Sequence, residues 1–216
     1  MRHESSTVVV LVGEVAESLL SELGRSVNVS VARAPAVGAG QSGAGQSGAG
    51  QPRADQPAAE RPGWEAGALA LREAARRQSA YVIVPEDPLA EVAATWRAMW
   101  DVPGGPAGAA RFEQSAAEAL AAWRGKRFDL PDYYLSMAAA PSDEAGPDLY
   151  LGPLRAARPR RAVVAGMAGR PGQASGVLDA LRSLEHGPWW PPLDELIDAA
   201  RRFYAGGLAQ TQPAPA

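Results

Sequence analysis

Four stretches of this chain carry residue types that do chemistry. In "YVIVPEDPLAEV" (residues 81–92), a run of strand formers leads straight into Glu86, Asp87 and a proline. Two carboxylates brought close raise the pKa of one of them, which suits general acid–base work or the holding of a cation. Asp-Pro before an apolar-periodic run is also how a helix starts. The Asp accepts a hydrogen bond from a first-turn N–H, and Pro at the first helical position forfeits none. We read Asp87 first as an N-cap. The alternative is a ligand site of Glu14, Glu86 and Asp87, since open α/β sheets bind at the carboxyl ends of their strands.

The second stretch is "AVVAGMAGRPGQASGVLDAL", a glycine-rich link between a strand and a helix. Bare N–H groups around Gly166, Gly169 and Gly172, with the charge of Arg170, could hold an anion. The spacing is neither GxGxxG nor GxxxxGK[ST], and the turn after the first strand holds one glycine, Gly13. The third is "PLRAARPRRAV", where Arg155, Arg158, Arg160 and Arg161 cluster; Arg124, Lys126 and Arg127 form a second basic group. Phosphates attract such clusters. Without aromatic interleaving or a helix-turn-helix pattern, they read as solvated basic connectors.

The fourth is "EHGPWWPPLDEL". His186 is a poor metal or catalytic candidate, because the other histidine is His3 near the start. Trp189 and Trp190 lie in a segment stiffened by Pro188, Pro191 and Pro192, and adjacent side chains on an extended stretch point in different directions. One of the two is expected at the surface, where tryptophan anchors protein contacts. Cysteine is absent, and G-x-S-x-G, H-E-x-x-H, EF-hand and kinase patterns are missing. We assign no catalytic residue, metal site or cofactor.

The elements that must position these residues are legible as an alternation. "TVVVLV" is a continuous β-branched run, as in a strand buried on both faces. "EVAESLLSEL" is an amphipathic helix closed by Gly24 at its C′ position, and "SVNVSVAR" is a half-exposed strand near a sheet edge. A helix over residues 67–78 leads to the strand "AYVIV". Leu89, Val92, Ala93, Trp96, Met99 and Trp100 then make a sustained apolar stripe. A further helix spans residues 106–124, with Trp123 facing inward and Gly125 closing it. "DYYLSMA" and "DLYLGPL" both read as strands, joined through "APSDEAGP" by a hairpin or a wide connection. "RAVVAG" is the last strand, before helices over 175–185 and 193–204. This pattern predicts a three-layer, Rossmann-like α/β sandwich with a mostly parallel sheet of about five strands and room for one antiparallel hairpin.

Residues 1–33 and 64–208 form the two parts of that single domain. Residues 34–63, with their GAGQS repeats, cannot offset ordering entropy by burial and are expected to be a disordered insert; residues 209–216 are expected to be a disordered tail. Formal net charge is −3, and one lysine stands against twenty arginines, the bias of GC-rich coding. The acidic balance disfavours nucleic acid as a partner. The apolar run at the start is too short for a secretory or membrane segment, so a cytoplasmic protein without membrane attachment is expected. The expected function is non-catalytic protein–protein interaction, adaptor or regulatory, through Trp189, Trp190 and His186. The alternative is a divergent α/β enzyme or nucleotide- or anion-binding protein with its site at the strand ends.

Overall fold

The computed structural model describes residues 6–35, 63–101, 106–137, 148–164 and 172–211. Five strands, β1 (Thr7–Val12), β2 (Val29–Val31), β3 (Tyr81–Val84), β4 (Tyr133–Ser136) and β5 (Ala162–Val164), form one sheet in the order β2-β3-β1-β4-β5. All four pairings are parallel. The helices are α1 (Glu17–Leu23), α2 (Gly63–Ala74), α3 (Ala90–Asp101), α4 (Pro106–Arg124), α5 (Arg155–Ala157), α6 (Gln173–Arg182) and α7 (Leu193–Thr211). A π-helical turn, Tyr150–Leu154, precedes α5.

The central strand β1 shows why a continuous apolar run is needed. Val10 and Val12 face a core with α2, α3, α4, α7 and the π turn, while Val9 and Leu11 face α1 and α6. With helices on both faces, neither set of side chains can be polar. The connection from β1 to β2 moves one way across the sheet through α1. Every later connection between strands moves the other way, through elements on the opposite face. Opposite directions on opposite faces are what one crossover handedness requires. Three layers result, with the larger core on the side of α3 and α7.

The expected hairpin is absent, because "DLYLGPL" is not a strand. Asp148 Oδ1 accepts hydrogen bonds from the N–H groups of Tyr150 (2.8 Å) and Leu151 (2.9 Å), which winds the chain into a turn. Leu154 N–H then reaches back to Leu149 O at 3.1 Å, five residues away. Gly152 lets the turn dock on α7: a Cβ there would sit 3.2 Å from the Phe203 ring. A local cap and a tertiary contact override the strand-like alternation.

Smaller differences have similar causes. β2 lies at the sheet edge as expected but is only three residues long; Asn28 has φ 65° and Val27 is 86% exposed, so the alternation does not extend that far back. Gly24 keeps right-handed helical geometry (φ −66°) and is not a left-handed C′ residue. After α4 the left-handed position is taken by Lys126 (φ 53°), one residue beyond Gly125. α7 runs on to Thr211, past the expected start of the tail. Most of the insert and residues 212–216 lie outside the described residues. Among the described residues, no helix is long and apolar enough to cross a membrane.

Candidate functional site

At the carboxyl end of β3 the chain continues through Pro85 and Glu86 to Asp87. Asp87 Oδ1 accepts the N–H of Leu89 at 3.0 Å, and its carbonyl accepts that of Ala90 at 3.2 Å. That is the capping role expected of Asp before Pro. The second carboxyl oxygen accepts the hydroxyl of Tyr150 from the π turn. The group is 7% exposed, and α2 lies directly over it: a Cβ on Gly67 would fall 2.1 Å from Pro88 N and 2.4 Å from the Asp87 carbonyl carbon. Burial pushes the Asp87 pKa up to about 6, against the opposing pull of the Tyr150 hydroxyl, the Leu89 amide and Tyr134.

Tyr134, on β4, completes this buried group. Burial and the neighbouring Asp87 hold its hydroxyl well above the usual phenol range, as they do that of Tyr150. Although the Tyr134 hydroxyl acts on the Asp87 carboxyl, it makes no hydrogen bond of normal geometry.

The other carboxylates expected at the strand ends do not converge here. Asp87 turns into the larger core. Glu86 is influenced instead by the Ala34 amide and by Arg33; burial raises its pKa, and its Oε2 is enclosed without a partner. Glu14, beyond Gly13 (φ 104°), is exposed. Gly166, Gly169 and Arg170 lie outside the described residues. Gly172 is described: it is the left-handed N-cap of α6 (φ 91°), with nothing within 4 Å of a Cβ placed on it. Among the described residues, no three His, Asp or Glu side chains are grouped so as to hold a metal ion.

The tryptophan segment sits at the other end of the sheet, beside the start of β4. Its prolines remove N–H groups but leave carbonyls, and arginines satisfy those carbonyls. Arg161 donates through Nε to Pro188 O (2.7 Å), through Nη2 to Gly187 O (2.8 Å) and through Nη1 to Asp132 O (2.9 Å). Arg158 Nε donates to Trp189 O at 2.6 Å, and Arg160 Nη1 to His186 O at 3.2 Å. This corrects the reading of the cluster as a solvated connector: Arg161 is 9% exposed, and its guanidinium lies 4.4 Å from the Trp189 ring centre.

The two tryptophans diverge, as adjacent residues on an extended chain should. Trp190 is buried; its Nε1 donates to Pro131 O at 2.8 Å, and its ring meets Tyr134 edge-on at 5.7 Å. Trp189 is partly buried, and the His186 side chain is exposed. With Trp123, Asp129, Leu130, Pro191 and Pro192, the pair lines an open cleft of about 270 Å³.

Sequence reasoning missed Tyr134, Tyr150, Arg161 and Asp129 as members of these sites. Tyr134 had a signal, since the alternation of "YYLS" in a buried strand must turn one tyrosine hydroxyl into each core. Tyr150 had none, because its partner lies 63 residues away. Comparison with protein-family models, curated proteins and solved structures finds no match to this chain.

Proposed function

We propose that this is a non-catalytic, cytoplasmic α/β protein that acts by binding another protein through the cleft between Trp123 and the Trp189–Pro192 segment. The observation that supports this reading is the cleft itself. Tryptophan and proline side chains held by a rigid, hydrogen-bonded backbone offer apolar contact area at little ordering cost, as binding surfaces do. Affinity capture with the full chain tests it. A partner taken by the wild type and by Asp87→Asn, but lost with Trp123→Ala and with the charge reversal Asp129→Arg, supports it. Capture indifferent to both cleft variants, with both folded by circular dichroism, overturns it.

A small-molecule site at the strand ends is the second reading, favoured by the displaced pKa of Asp87 at the end of β3. Against it, that carboxyl is turned inward and already engaged by Tyr150 and Leu89. Nucleotide or metabolite co-purifying with the wild type and lost with Asp87→Asn would favour this reading over the first.

A further inference from the structure

Resting on the protein-binding reading above, we infer that the cleft receives an arginine side chain of the partner. Size sets the first limit. About 270 Å³ is below the roughly 300–1,000 Å³ of pockets that take drug-sized ligands, and it suits one long side chain.

Polarity sets the second. Pro191 and Pro192 have no N–H to offer, and the indole N–H of Trp190 is already given to Pro131 O. The lining also carries the exposed carboxylate of Asp129, an acceptor. Two neighbouring arginines are engaged elsewhere: Arg127 stacks over Trp64 at 5.6 Å, and Arg124 lies 3.6 Å from Asp194. Among the described residues, Asp129 has no ion pair. A carboxylate beside aromatic walls favours a cation with planar, multiple donors.

The third limit comes from how the chain treats its own tryptophans. Trp64 carries the guanidinium of Arg127, and Trp189 that of Arg161. Trp123 has no cation over its ring among the described residues, and it stands on the same cleft as Asp129. Its ring offers the kind of aromatic face that the chain's own arginines already cover on Trp64 and Trp189.

Three synthetic peptides test the inference on the full-length protein: Ac-APPRPPA-NH2, the same peptide with lysine for arginine, and the same with glutamine. Binding is read from the indole N–H resonances of the tryptophans and from fluorescence titration. The arginine peptide is expected to bind about tenfold more tightly than the glutamine peptide and to shift the Trp123 indole signal, with lysine between them. Asp129→Asn, an exposed change, is expected to remove about five- to tenfold of that affinity and most of its salt dependence. Equal binding of the arginine and glutamine peptides overturns the inference and leaves the protein-binding reading standing, as recognition of proline alone. Arginine binding that leaves Trp123 unshifted and ignores Asp129→Asn overturns it as non-specific attraction to an acidic protein. Failure of all three peptides also overturns it; the protein-binding reading is then judged separately, by partner capture with Trp123→Ala.

Discussion

The hydroxyl of Tyr150 donates to the carboxyl of Asp87, tying the π-helical turn after β4 to the cap of α3. Neither residue is reachable by bulk water to any useful extent, each being 7% exposed. The carboxyl therefore sits in a place that disfavours its charge, and stability should depend on pH. In the unfolded chain Asp87 titrates near 3.8; in the folded chain it titrates near 6. Between those values the native state holds a proton that the unfolded state has lost, so stability falls as pH rises from about 4 to above 6 and then levels. The rise from 3.8 to about 6 corresponds to about 3 kcal/mol. Asp87→Asn should remove that component. Denaturant midpoints of wild type and variant between pH 4 and 8 should converge at the acid end and separate above pH 6, with the variant more stable. Parallel curves would show that Asp87 does not titrate in this range.

The two tyrosines around Asp87 should respond differently to loss of their hydroxyls. Tyr150→Phe removes a hydrogen bond to a buried carboxyl and should cost about 1–3 kcal/mol at neutral pH. Tyr134→Phe removes a buried hydroxyl that has no bond of normal geometry, so it should be neutral or stabilising by up to about 1 kcal/mol. Urea unfolding of both variants at one pH separates the cases. Equal losses would mean that Tyr134 also bonds the carboxyl.

What could be read from the sequence follows how local each cause is. The run Val8–Val12 announces a buried strand because both sheet faces demand apolar residues. The bounds of α4, Pro106–Arg124, follow from a proline start and a sustained apolar period. The Asp87 cap needed only its own first turn. Tyr150 as the partner of that cap, and Gly67 as the point where α2 crosses it, depend on contacts tens of residues apart, which no local pattern encodes. Arg161 was misread for the same reason: two of the carbonyls that it serves lie 26 and 27 residues further on, and the third lies 29 residues before it.

Adjacent glycines near the end of α7 make a sharp comparison. A Cβ on Gly206 meets nothing within 4 Å, so Gly206→Ala should stabilise by about 0.5–1 kcal/mol through helix propensity. A Cβ on Gly207 would lie 2.3 Å from the Trp100 ring, which already packs edge-on against Tyr204 at 4.9 Å. Gly207→Ala should therefore cost about 1–3 kcal/mol despite the same propensity gain. Thermal unfolding of the two variants should shift in opposite directions.

Arg161 and Arg160 are neighbours with unlike roles, and the cleft depends on the first. Arg161 donates to three carbonyls of two segments and stacks on Trp189, while it is almost wholly buried. Arg160 pairs with Glu185 at 3.0 Å, with both side chains more than 60% exposed. Exposed pairs of this kind are worth little, whereas acceptors left without donors under cover cost their full desolvation. Arg161→Met keeps the apolar stem and removes the donors, and it should cost about 2–4 kcal/mol. Arg160→Met should stay within about 0.5 kcal/mol of the parent. Lysine at 161 keeps the charge but cannot present donors to three carbonyls in one plane, so Arg161→Lys should recover only part of the loss. Because these bonds fix the carbonyls of Gly187 and Pro188, the Arg161 variants should also broaden or shift the indole N–H signals of Trp189 and Trp190, while Arg160→Met leaves them in place. Full stability and unchanged indole signals in Arg161→Met would mean that the prolines alone hold the tryptophan segment.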